Sequence, residues 1–174
     1  MIRQAGFTIL ELMAVVAIAG VLMALALPSY DTLVKNNCRT TAANALVTSL
    51  QYARSEAVKQ RERISVIAGN AGSAGNEWGT GWTVFRDADG DSAVDAGEAL
   101  RVTALTCEQP AGGTNRMTIS SASTMLTYLP TGFSAATGSV TINICHDNET
   151  GERGRQITIL NTGRPSMNSS FTCS

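Results

Sequence analysis

From Phe7 to Leu27 every residue is uncharged except Glu11, and most are strongly apolar. A helix of about 20 such residues, rising about 1.5 Å per residue, spans a bilayer core of about 30 Å. The run therefore predicts a membrane helix at the start of the chain. Glu11 is the exception that needs a reason, because an ionised side chain at the centre of such a helix costs about 2.5–3.5 kcal/mol on insertion. A secretory signal peptide has a shorter apolar stretch with its cleavage site after the run. Here the small residue suited to processing, Gly6, lies before the run, so the apolar segment survives in the mature chain. Arg3 is the only charge ahead of it, which orients the N-terminus to the cytoplasm.

The stretch "GFTILELMAVVAIAGVLMALALPSY" resembles the class III signal of type IV pilins and type II secretion pseudopilins. Gly6, Phe7, Thr8, Glu11, the apolar run and Pro28 carry the resemblance. It implies cleavage after Gly6 by a prepilin peptidase and N-methylation of Phe7. It also implies that the Glu11 carboxylate neutralises the amino terminus of a neighbouring subunit during assembly. The physics agrees: an unpaired charge in a low-dielectric filament core is costly, and a paired one sets register. The alternative is a plain anchor with an incidental glutamate.

Beyond Pro28, where the missing amide predicts a kink, the helix resumes. Ala42, Ala45, Leu46, Ser49, Leu50, Ala53 and Ala57 recur at intervals of three and four and draw one packed face. Lys35, Arg39, Gln51, Arg54, Lys59 and Arg61 fall on the other, read as a solvated face. The segment "LQYARSEAVKQRERI", Leu50 to Ile64, resembles the helix end of the FimT/GspH family of minor pilins and minor pseudopilins. From Ile64 onward short apolar stretches alternate with Gly/Asn/Asp/Ser-rich turns, predicting strands at 64–67, 82–85, 100–105, 117–119, 125–129, 140–144 and 157–160. The expected fold is α+β, the type IV pilin fold: a long N-terminal helix packed on a mainly antiparallel sheet. The expected divisions are a leader (1–6), a membrane and filament-core helix (7–28), an amphipathic helix half (29–63) and a β-rich periplasmic domain (64–174).

Net charge is −1, which argues against a general nucleic-acid binder and leaves room only for a local basic patch. The four cysteines, Cys38, Cys107, Cys145 and Cys173, form no CxxC pair, and His146 is the sole histidine, so zinc-ligand spacing is missing. Behind a membrane-targeting segment, four widely spaced cysteines read as two disulfides in an oxidising compartment. Three pairings are possible; Cys38–Cys107 with Cys145–Cys173 is preferred over the other two and over four buried thiols.

Two stretches offer binding chemistry. In "DADGDSAVDAGE", Asp87, Asp89, Asp91, Asp95 and Glu98 occupy the first, third, fifth, ninth and twelfth places of a calcium loop. Ser92, however, stands where that loop requires glycine, and an acidic hairpin turn is the plainer reading. In "NTGRPSMNSS", Gly163 and Arg164 match the start of a Gly-Arg-x-Arg motif that contacts DNA in FimT-like proteins linked to DNA uptake, but Ser166 replaces the second basic residue. Arg153 and Arg155 are near in sequence and could extend a patch, since guanidinium suits phosphate. The alternative is a turn arginine paired with a carboxylate. No GxSxG, Walker loop or HExxH is present, so no enzyme, small-molecule substrate or cofactor other than calcium is expected.

The resemblance thus implies a minor pilin that helps initiate a type IV pilus, with DNA binding during uptake as a further expectation. The alternative is minor pseudopilin H of a type II secretion system. Either sits first in the inner membrane, with a periplasmic C-terminal domain, and then enters a filament. Its partners are other major and minor pilins or pseudopilins and the prepilin peptidase.

Overall fold

In the computed structural model, residues 8–105, 117–146 and 151–173 are described. Gly6, Phe7 and Cys107 lie outside them. Helix α1 runs from Ile9 to Gln60. Thr8 starts it as an N-cap: its hydroxyl accepts the Glu11 amide at 3.3 Å, and its carbonyl accepts the Leu12 amide at 3.2 Å. The helical assignment continues through Pro28 without interruption. It ends where Arg61 takes a positive φ of 57°, a left-handed residue at the usual stopping position.

The chain divides into two compact units, Met1–Asn37 and Cys38–Ser174. In the first, Ile9, Leu12, Met13, Val16, Ile18 and Leu22 are all more than half exposed. Their positions go round the helix, so no single apolar stripe exists. A helix apolar on every side is suited to burial by lipid or by other helices. Among the described residues no helix is long and apolar enough to cross a membrane.

The second unit builds two four-stranded antiparallel sheets. Strands β1 (Ile64–Ala68), β2 (Gly81–Arg86) and β3 (Ala99–Ala104) come first in the chain, followed by β4 (Met117–Ser121) and β5 (Met125–Tyr128). Then come β6 (Val140–His146), β7 (Arg155–Ile159) and β8 (Pro165–Asn168). The sheet orders are β3-β2-β1-β5 and β4-β6-β7-β8. Period-two alternation sets the inward face: Ile142, Ile144, Ile157 and Ile159 are fully buried, and their neighbours are not. These side chains share one core with Leu46, Leu50, Ala53 and Ala57 of α1 and with Ile64, Val66, Val84 and Tyr128 of the first sheet. The alanines let the helix backbone approach closely.

Three features differ from expectation. The strands divide between two sheets. Strand β8 lies beyond the last expected strand; it begins with proline, which is tolerated at the first position of a strand and at a sheet edge, and β8 is an edge strand. And Arg39 is not on a solvated face: it is 1% exposed. Its guanidinium donates to the Arg153 carbonyl and, at 3.2 Å, to Glu152 Oε2. The partners lie more than a hundred residues away, so local periodicity carries no trace of them.

Cys145 and Cys173 are disulfide-bonded across a separation of 28 residues. Cys38 is disulfide-bonded as well, and its expected partner, Cys107, lies outside the described residues. Replacing both Cys145 and Cys173 by alanine is expected to cost about 3–4 kcal/mol, from the chain entropy that a loop of this size restores to the unfolded state. Chemical denaturation without reductant measures it; a loss below about 1 kcal/mol would mean the bond adds nothing beyond the packing of the C-terminal segment.

Candidate functional site

Glu11 lies in the first turn of α1, with its carboxylate exposed. Thr8-Ile9-Leu10-Glu11 has the sequence of a capping box, and an acidic side chain there also suits the positive end of the helix dipole. The Glu11 side chain thus adds at most the modest attraction to the helix dipole at the helix start, besides any role between subunits.

In the acidic loop, one oxygen from each of Asp87, Asp89 and Asp91 lies within 4.8 Å of the others. Ser92, the residue that broke the calcium pattern, adopts a φ of 66°, the left-handed conformation that glycine supplies more cheaply. Asp95 and Glu98 do not join the three. Glu98 is nearly buried and closes the loop instead: Oε1 accepts the Ala88 amide at 3.0 Å and Oε2 the Asp95 amide at 3.2 Å. Three exposed carboxylates at this spacing could hold a hard cation such as calcium.

The Asp95 carboxyl is pushed up, first by the Asp91 charge, then by partial desolvation and by Asp89 and Glu98. The folded chain therefore holds this proton more tightly than the unfolded one. The resulting stabilisation is present below the unfolded value of about 3.9 and is lost as pH rises through the higher folded value. Asp95→Asn never ionises. It is expected to melt higher than the parent at pH 7 and at the same temperature near pH 3. Thermal scans at the two pH values check this; equal melting at pH 7 would show that the carboxylates do not repel.

The second place is a pair of glycine turns. Gly132, in 129–133, and Gly163, in 160–163, both have positive φ, 79° and 74°. A Cβ on Gly163 would lie 2.1 Å from the Gly132 carbonyl oxygen. Arg54 of α1 ties the two turns together, with Nε on the Gly132 carbonyl at 2.9 Å and Nη2 on the Thr162 carbonyl at 3.3 Å. Tyr128 is wholly buried beside them, and burial raises its pKa despite the nearby Arg54 charge. Arg164 follows directly, exposed and without a hydrogen bond or ion pair among the described residues. Arg155 is engaged: its guanidinium donates to the Gly154 and Ser169 carbonyls at 3.1 and 3.2 Å and to Thr40 Oγ1 at 3.4 Å. Arg153 is exposed. So of the three arginines, one is tied to the C-terminal segment and two are exposed. Sequence reasoning assigned Arg54 to a solvated face; its one signal was the spacing, which sets it beside the buried Ala53 and Ala57.

An apolar helix opening on a capped glutamate and leading into antiparallel sheets defines a type IV pilin-like subunit. The prokaryotic N-terminal methylation motif matches residues 1–27. The family profile described as Type II transport protein GspH matches residues 42–163, more than half of the chain, and the chain belongs to that family. Among solved structures it is similar to the type IV minor pilin FimU of Pseudomonas aeruginosa strain PAO1. One crystal form matches with a TM-score of 0.62 and 29% identity, covering 79% of this chain and 94% of that one. A second matches with a TM-score of 0.56 and 28% identity, covering 76% and 95%. No curated protein sequence matches. The family is one of structural pilins and pseudopilins, membrane-anchored filament components that assemble with other pilins and are processed by a prepilin peptidase.

Proposed function

We propose that this chain is a minor pilin that helps initiate a type IV pilus. In this reading it is cleaved after Gly6, methylated on Phe7 and held in the inner membrane by a single pass, with its C-terminal domain periplasmic, before it enters the filament. The observation that carries the reading is the uncovered apolar start of α1, with Glu11 in its first turn, ahead of a FimU-like domain. Mass spectrometry of filaments sheared from cells tests it: peptides beginning at N-methylated Phe7 are expected. Their absence from abundant pili, with the processed chain still in the envelope, would favour minor pseudopilin H of type II secretion, a reading that the GspH profile supports.

A DNA-binding role rests on Arg164, which is exposed and has no hydrogen bond or ion pair among the described residues. In a low-salt gel shift, Arg164→Ala is expected to weaken retardation and to lower the log–log salt slope by about 0.9, the share of one phosphate contact. Unchanged retardation would remove this role. Calcium at Asp87, Asp89 and Asp91 is a further proposal, supported by their mutual proximity; millimolar calcium should give heat in a calorimetric titration.

A further inference from the structure

On the outward face of the second sheet, β4 and β6 place two cross-strand pairs side by side, Thr118 with Cys145 and Ser120 with Asn143. Their sequence neighbours Ile119, Ile142 and Ile144 fill the core on the opposite face. Phe171 and Cys173 rise on one side of these four side chains and Gly75 on the other, enclosing a cleft of about 260 Å³.

Both walls are fixed to the framework. The Cys145–Cys173 disulfide holds the C-terminal segment, and the Gly154 amide donates to the Phe171 carbonyl at 2.8 Å. Gly154 has no side chain to obstruct this, since a Cβ there would lie 2.5 Å from the Cys173 sulfur. On the other side the Glu77 carboxylate accepts the Gly75 and Ser121 amides at 2.8 and 3.3 Å, and Asn76 Oδ1 accepts the Ile119 amide at 2.8 Å. Burial would raise the Glu77 carboxyl, but the donating amides of Glu77, Gly75 and Ser121 outweigh it and hold it below its ordinary value, so the clamp is ionised at neutral pH. A cleft whose walls are pinned in this way needs little ordering when a ligand enters.

Its chemistry is selective. No charged side chain lines it among the described residues, which disfavours phosphate and carboxylate ligands. An apolar ligand would strip water from the Ser120 hydroxyl and the Asn143 amide on its floor without replacing those hydrogen bonds. Asn143 Oδ1 already accepts from Gln156 Nε2 at 3.0 Å, which leaves the Asn143 amide hydrogens as donors. Ser120 Oγ has no partner among the described residues, so it can donate or accept. Phe171 supplies an aromatic surface beside them. Directional neutral hydrogen bonding next to an aromatic ring, in a space sized for one small unit, matches a neutral sugar. We propose that this cleft binds one residue of an uncharged carbohydrate.

Saturation-transfer NMR on the full chain, in a detergent that carries no sugar, tests this. The probes are glucose, galactose, N-acetylglucosamine and their linear oligomers at millimolar concentration. At least one probe is expected to receive saturation. Asn143→Asp keeps the acceptor for Gln156 but removes both donor hydrogens, and Phe171→Ala removes the ring. Each is expected to weaken binding about tenfold, the scale of one lost hydrogen bond or stacking contact. Retention of the Cys145–Cys173 bond and of the parent circular dichroism shows that a variant is folded; Ser120→Val replaces any that is not. No saturation of any probe, or saturation unchanged in folded cleft variants, would overturn the proposal.

Discussion

Glu11→Ala is expected to leave the protein in the membrane and to remove it from filaments. The substitution does little harm to the helix itself. The Glu11 amide, not its side chain, bonds Thr8 Oγ1, and alanine is the best helix former. The lost attraction between the carboxylate and the helix dipole is about 0.3–1 kcal/mol. Membrane insertion becomes no harder, because a charge is removed; at the first turn its cost is below the roughly 2.5–3.5 kcal/mol of a helix centre. Assembly is where the loss falls. If Glu11 neutralises a neighbour's amino terminus, its removal leaves a buried charge uncompensated, at about 3–5 kcal/mol. That lowers incorporation by about two to four orders of magnitude, to background in an immunoblot of sheared filaments, while the membrane fraction is unchanged. Glu11→Gln keeps the shape and should fail in the same way. Normal incorporation of either variant would refute the pairing role.

Gly163→Ala is expected to destabilise the C-terminal unit by about 3 kcal/mol or more, a size seen only where a specific mechanism operates. Two mechanisms act together here. The left-handed backbone at Gly163, φ 74°, costs about 1–2 kcal/mol for a residue with a Cβ. That Cβ would also lie 2.1 Å from the Gly132 carbonyl oxygen. This obstacle is backbone, so it cannot turn aside as a side chain can. The two turns must separate, which strains both Arg54 bonds to the Gly132 and Thr162 carbonyls. The melting temperature should fall by about 10 °C, at roughly 2–4 °C per kcal/mol for a domain of this size. Gly138→Ala is the control, because nothing lies within 4 Å of a Cβ placed there. Equal melting of the two variants would mean that the turns do not depend on their close approach.

Gly163 illustrates how far the sequence reaches. Its sequence context, next to Arg164, suggested half of a nucleic-acid motif. The structure gives the glycine a packing reason that holds whether or not Arg164 touches DNA. The acidic loop is similar. Asp87, Asp89 and Asp91 are brought together as their alternate spacing suggests. Glu98, seven residues past Asp91, spends both oxygens on backbone amides, and nothing in the one-dimensional spacing signals that.

The features that the sequence determined by itself are those that local chemistry controls. They include the apolar run, the glutamate at its start, the small-residue face of the long helix, and seven of the strands. Each follows from periodicity or from the intrinsic preference of a few adjacent residues. Only the tertiary structure decided how the strands divide into two sheets and why Pro165 opens an edge strand. It alone buried Arg39 against Glu152, joined Arg54 to two distant turns and walled a polar cleft with a disulfide. These depend on contacts between residues about 30 to more than 100 positions apart. Whether a given arginine meets water or a carbonyl is set by what the rest of the chain brings to it, and periodicity holds no record of that.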